Sequence, residues 1–127
     1  MRTYKRINED YIDSIDRNEY TDELSIDIYK NVDMLLRGQK PNIEFNLIKE
    51  PIYKVPNRKK LITLINSCMK MYGNDCSLNW IDVSIIKNMS EMFFESEFNG
   101  DISGWNVSSV TNMYHMFDHS MFNGDIS

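Results

Sequence analysis

A 24-residue stretch occurs twice in succession at the end of the printed sequence, and this repeat constrains the fold more than any other feature. Residues 80–103 align with residues 104–127 without a gap, and 13 of the 24 positions are identical. One unit of this length cannot bury its apolar side alone and needs a neighbour stacked against it. The repeat therefore predicts a solenoid in which unit 1 (residues 80–103) and unit 2 (residues 104–127) lie side by side.

Each unit combines a helical spacing with turn and strand signals. Met89, Met92 and Phe93 are three and four residues apart, which predicts a short helix with one apolar face. Gly100 supplies a turn after that helix, and the apolar residues that follow suit a short strand: Ile102, Trp105 and Val107. The expected fold class is α+β, a short right-handed solenoid of two strand-turn-helix coils, with a narrow parallel sheet on one side and helices on the other.

An amphipathic helix is predicted directly before the repeat. Asn57 is a suitable N-cap, Gly73 ends the helix, and the apolar side chains between them form one stripe: Leu61, Leu64, Ile65, Cys68, Met69 and Tyr72. The terminal coil of a solenoid exposes its core unless something covers it. We therefore interpret residues 56–79 as a capping helix and a lead-in (residues 74–78) that pack on unit 1.

Residues 1–55 form a third part, predicted to be a small, mainly helical region with an extended linker. Apolar spacing predicts one short helix at Ile7, Tyr11, Ile12 and Ile15, and a second from a cap at residues 21–23 through Leu24, Ile28, Val32, Leu35 and Leu36 to a stop at Gly38. Ile43, Phe45 and Leu47 then alternate with polar residues, as in a half-buried strand. That segment is an edge strand or linker, or it docks on another protein by strand addition.

The repeat resembles a known family. The segments IDVSIIKNMSEMF (residues 81–93) and WNVSSVTNMYHMF (residues 105–117), each closed by Phe-Asn-Gly-Asp-Ile-Ser, resemble the BspA-like bacterial surface-protein repeat, a relative of leucine-rich repeats. This resemblance covers residues 78–127 and implies a non-enzymatic interaction module, often displayed on bacterial surfaces or carried by phages and large viruses. Unit 1 departs from the pattern, because its tryptophan is shifted to Trp80 and Ile81 stands in the expected place.

Composition and charge exclude several classes of protein. The formal net charge of -5 argues against a general nucleic-acid binder, which needs a surplus of Lys and Arg on one face. The sequence has no apolar run near the roughly 20 residues that span a bilayer, and its charged N-terminus does not resemble a secretory signal. A cytoplasmic or virion-associated protein is expected. Two cysteines are too few for a disulfide framework, so Cys68 is interpreted as a buried free thiol.

Catalysis and cofactors are not expected, because His115 and His119 are the only imidazoles and no nucleophile with its base is evident. Glu91 with His115, and Glu95 with His119, are 24 residues apart and predict two cross-unit charge pairs. The same four side chains are candidate Zn²⁺ ligands, with two oxygens and two nitrogens. The equivalent residues Asp101 and Asp125 either accept backbone N–H bonds in turns or share a Ca²⁺ ion.

The outer end of unit 2 is the predicted interface. Phe117, Phe122 and Ile126 would expose their outer sides, beside the unpaired backbone groups of a terminal strand. A second copy packed about a twofold axis, or a different protein, would cover them. The leading hypothesis is a protein-binding or assembly module. The alternatives are a structural or accessory component of a phage or virus particle, and a bacterial surface protein that binds a host.

Overall fold

The computed structural model describes residues 23–124. Its elements in chain order are α1 (Glu23–Leu36), a 3-10 turn (Phe45–Leu47), β1 (Tyr53–Lys54), α2 (Arg58–Tyr72) and β2 (Ile81–Asp82). The helix predicted near Ile7 to Ile15, and the predicted roles of Asp125 and Ile126, lie outside the described residues.

Helix α1 confirms the helix predicted before Gly38. Its buried side is made of Ile28, Val32 and Leu35, at the spacing expected for one helical face. The helix ends where Gly38 adopts a positive φ of 78°, a conformation that glycine tolerates without strain. Asn31, also buried on this side, accepts the backbone N–H groups of residues 42 and 43 and so fixes the returning chain against the helix.

Of the alternatives for residues 43–47, an edge strand or a linker, the strand is wrong. Ile43 and Phe45 are buried as the alternation requires, but the chain turns at Phe45 in a 3-10 helix, which leaves Leu47 70% exposed. A tight turn buries two alternate side chains as well as a strand does, so alternation over five residues cannot distinguish the two. The strand in this region comes later, at β1, which pairs in parallel with β2.

Helix α2 forms as predicted. The side chain of Asn57 accepts the N–H of Lys60 at 2.8 Å, and the helix ends at Gly73, whose φ is 100°. The buried stripe is the predicted one: Leu61, Leu64, Ile65 and Cys68. The helix contacts α1, and the guanidinium of Arg58 donates to the carbonyl of Ser90 in unit 1. This places the start of α2 against the repeat.

The helix predicted within each unit is wrong, and a run of tight turns takes its place. Residues 92, 94 and 96 donate their N–H groups to carbonyls only three residues earlier, which closes successive turns. Between these turns the backbone enters the left-handed region at Glu91 (φ 57°) and Glu95 (φ 54°), and again at His115 (φ 53°) and His119 (φ 55°). A left-handed residue at every fourth position breaks an α-helix, although the apolar spacing of three and four is kept.

The strand predicted at Ile102, Trp105 and Val107 is also absent from the described structure. Unit 1 meets its neighbours through isolated parallel bridges, Ser77 with Asp101 and Asn88 with Asn112. Small polar side chains form turns here instead: the Asp101 carboxylate accepts both the N–H and the hydroxyl of Ser103, and these bonds hold its pKa below the usual value. Of the two alternatives for Asp101, the structure shows the turn.

A single core runs through the described chain from α1 to unit 2. Trp80 lies fully buried in it and stacks on Phe45, with ring centroids 4.1 Å apart. The indole of Trp105 in unit 2 donates to the carbonyl of Leu78 at 2.9 Å. The repeat is therefore packed onto the helical part of the chain by one tryptophan and hydrogen-bonded to its lead-in by the other.

Candidate functional site

Unit 1 and unit 2 are joined by a row of backbone hydrogen bonds, one at every second residue. The N–H groups of unit 1 donate to carbonyls of unit 2: Met89 to Asn112 (2.8 Å), Glu91 to Tyr114 (2.9 Å), Phe93 to Met116 (2.9 Å) and Glu95 to Asp118 (2.9 Å). Because alternate residues close the turns, these four N–H groups are free to point at the neighbouring unit. All four bonds of this run have the same direction, with unit 1 as donor and unit 2 as acceptor, whereas beyond the two ends of the run unit 2 donates to the carbonyls of Lys87 and Ser96 in unit 1.

Two columns of phenylalanine rings reinforce this contact. Phe93 stacks on Phe117 with centroids 5.5 Å apart and planes 2° apart, and Phe98 stacks on Phe122 at 5.9 Å and 8°. Each column joins residues 24 positions apart in the sequence. The aromatic contacts therefore fix the same register as the backbone bonds.

The outward side of unit 2 lacks the cover that unit 2 gives to unit 1. Five apolar positions that are buried in unit 1 are half-buried or exposed in unit 2, and we call these five residues the open face: Val107, Val110, Met113, Phe117 and Phe122. The difference is largest at one pair, because Met89 is 0% exposed and its counterpart Met113 is 44% exposed. The open face of unit 2 is thus equivalent to a set of side chains that are buried in unit 1.

The backbone of the open face repeats the donor pattern. The N–H groups equivalent to the four donors of unit 1 belong to Met113, His115, Phe117 and His119, and none of them has an acceptor among residues 23–124. The carbonyls of residues 111 and 120 flank this run. They are equivalent to the carbonyls of residues 87 and 96, which accept N–H groups of unit 2.

The opposite end of the repeat is covered. The Asn74 carbonyl accepts the N–H of Asn99 at 2.7 Å, and the Asp101 carbonyl accepts the N–H of Leu78 at 3.0 Å. Leu64 on α2 is fully buried, and Arg58 occupies the carbonyl of Ser90. The lead-in and the start of α2 therefore contact unit 1 on the side away from unit 2.

The predicted cross-unit charge pairs do not form in the described structure. His115 pairs with Asp118 of its own unit, and neither Glu91 with His115 nor Glu95 with His119 is among the ion pairs of residues 23–124. The ring of Phe94 lies beside both imidazoles, with centroids 6.4 Å from His115 and 6.0 Å from His119. In the described part of the chain, no three His, Cys, Asp or Glu side chains are grouped closely enough to hold a metal ion.

Both cysteines are buried free thiols, as predicted for Cys68. Burial raises the pKa of Cys68 far above its usual value, and the neighbouring Cys76 adds to the shift. Burial also raises the pKa of Cys76 to about 12. A thiol that keeps its proton is a poor nucleophile and a poor metal ligand.

Sequence reasoning did not find the row of backbone donors. The signal for it lies in identical polar positions: Asn88 and Asn112 each accept the N–H two residues ahead, and Ser96 and Ser120 do the same. These side chains start and end each run of turns.

The described residues combine two helices and a two-stranded parallel sheet with a repeated turn unit that stacks on its own copy. Residues 59–127 match the family model described as "Mycoplasma protein of unknown function, DUF285". Since this match spans more than half of the 127 residues, the chain belongs to that family. No curated protein and no solved structure matches the chain. Within residues 23–124, none of the helices has the length and apolar character to cross a membrane.

Proposed function

We propose that this chain is a non-enzymatic protein-binding or assembly module, a short solenoid of the BspA-like type capped by α2, and that the open face is its docking surface. The observation that carries the proposal is the contrast between equivalent residues. Met89 is fully buried and donates its N–H to unit 2, whereas Met113 is 44% exposed and its N–H has no acceptor among the described residues. Because the equivalent side chains of unit 1 are buried within the polypeptide, the same side chains in unit 2 are suited to bind a polypeptide.

The chemistry of the open face supports a polypeptide partner over a small molecule. Three apolar side chains of this face, Met113, Phe117 and Phe122, surround backbone donors spaced at every second residue. Extended and turn segments of a protein present carbonyls at this spacing, so main-chain bonds supply affinity while side-chain pockets supply specificity.

The reactive side chains support a role without catalysis. Cys68 and Cys76 are buried and keep their protons. His115 is engaged by Asp118 on the surface of a turn. A general base needs a nucleophile or a substrate cleft within hydrogen-bond reach, and these positions do not provide one.

A photo-crosslinking experiment tests the proposal with a matched control. A photoreactive amino acid is placed at Met113 in one variant and at Ile85 in another, since these apolar side chains are 44% and 47% exposed. Ile85 belongs to unit 1 and lies outside the open face. In cells that express the chain, we expect protein adducts from position 113 and few from position 85. Equal labelling at both positions, or none at position 113, contradicts the proposal.

A further inference from the structure

The direction of the hydrogen bonds between the units identifies the kind of partner that fits the open face. Resting on the function proposed above, we infer that the open face binds a turn unit of the same 24-residue pattern, and not the open face of a second copy of this chain.

The contact between the two units is a template for this complex. Unit 1 offers four donors to unit 2, and unit 2 answers with the carbonyls of residues 112, 114, 116 and 118. The open face offers the same donors one unit further on, at residues 113, 115, 117 and 119. A third unit placed in the same register would therefore present its own carbonyls to these groups.

The aromatic columns add a requirement for the side chains of the partner. Phe117 and Phe122 are each stacked on one side, by Phe93 and Phe98, and half-buried overall. A partner with aromatic residues five positions apart, as in both units here, would extend both columns. Aromatic stacking of this kind favours a specific register over general apolar contact.

A second copy of this chain does not meet these requirements at either of its ends. Packing two open faces about a twofold axis would bring the four donors of one copy against the four donors of the other, because the carbonyls of the open face, at residues 111 and 120, lie outside the run of residues 113–119. At the other end of the repeat, Arg58 already occupies the carbonyl of Ser90, which is equivalent to the Tyr114 carbonyl that accepts the N–H of Glu91, so a second copy cannot offer the full row of acceptors there. The partner must have an uncovered acceptor side.

The test joins a probe unit to the full chain. A peptide with the sequence of residues 104–127 is attached after the last residue through a flexible Gly-Ser linker, which gives an effective concentration on the order of millimolar. Amide hydrogen exchange is measured at residues 113, 115, 117 and 119. We expect exchange at these four amides to slow by about tenfold or more, and a scrambled peptide on the same linker to leave it unchanged.

Two variants make the result specific. Met113→Lys, on the open face, should abolish the protection, whereas Ile85→Lys, equally exposed on unit 1, should preserve it. If the four amides exchange at the same rate with the native and scrambled peptides, the inference is overturned. It is also overturned if light scattering shows a dimer of the unmodified chain that Met113→Lys dissociates.

The failure of this inference is distinguishable from the failure of the proposed function. Crosslinks at position 113 without protection by the probe unit would leave a protein-binding face whose partner has different chemistry. The absence of crosslinks at position 113 would remove the docking function itself.

Discussion

Replacing Gly100 with alanine tests how closely the lead-in approaches unit 1. A Cβ atom at this position would lie 1.7 Å from the carbonyl oxygen of Cys76 and 2.8 Å from its carbonyl carbon. Backbone atoms cannot move aside as the end of a side chain can, so the lead-in and unit 1 must separate. The separation would strain the bond from the N–H of Asp101 to the same carbonyl, now 3.1 Å long.

The expected cost follows from these contacts. Overpacking a well-packed site typically costs about 1–3 kcal/mol, and each backbone bond lost adds about 1 kcal/mol. We expect Gly100→Ala to lower the free energy of unfolding by about 2–4 kcal/mol, a large share of the roughly 5–15 kcal/mol that stabilises a typical domain. The midpoint of thermal unfolding should fall by about 10 °C or more.

Urea unfolding followed by tryptophan fluorescence measures this effect, because Trp80 and Trp105 are both buried. Gly124→Ala is the matched control: its Cβ would meet the ring of Phe122 at 2.8 Å, but the nearest backbone atom of unit 1 is 3.5 Å away. Phe122 is half-buried and can shift, so the control should lose much less stability. If Gly100→Ala unfolds within about 0.5 kcal/mol of the parent, the described approach of the two segments is wrong.

Two further predictions concern the covered end of the repeat. Leu64→Asp should lower the free energy of unfolding by about 3–5 kcal/mol, because it places an unpaired charge in the fully buried side of α2. Asn66→Asp, on the exposed side of α2, should change the free energy of unfolding by less than about 0.5 kcal/mol. Equal urea midpoints for the two variants would show that α2 is not a cap. Stability should also fall as the pH rises from about 9 towards 12. Burial raises the pKa of Cys76 to about 12 in the folded chain, whereas the unfolded chain releases this thiol proton near the ordinary cysteine pKa of 9.0. Within this pH range the unfolded state therefore binds fewer protons than the folded state and becomes more favourable as the pH rises. A Cys76→Ala variant should show a smaller loss between pH 8 and 10 by the same urea assay, and an identical pH dependence would contradict this assignment.

The helices were predictable because their signals are local. Asn57 and Gly73 bound α2, and Gly38 follows the end of α1, so capping chemistry and apolar spacing were sufficient. The turn at Phe45 was not predictable from alternation, because a 3-10 turn and a strand bury the same two residues there.

The structure of the repeat was only partly predictable. The 24-residue period correctly pairs Phe93 with Phe117 in register. It did not reveal that left-handed residues such as Glu91 replace the expected helix, because the conformation depends on hydrogen bonds to the neighbouring unit rather than on local propensity. For the predicted interface, the structure places Phe117 and Phe122 half-buried on the open face, and their role in binding stays a prediction.

Amide hydrogen exchange on the isolated chain most directly tests the claim that unit 2 has an uncovered docking surface. The N–H groups of Met89 and Phe93 are bonded to unit 2, whereas the equivalent groups of Met113 and Phe117 have no acceptor in the described structure. We predict that the two amides of unit 1 exchange at least about tenfold more slowly than their counterparts in unit 2. Equal protection of both pairs in a monomeric sample would contradict the account, because the open face would then already be covered.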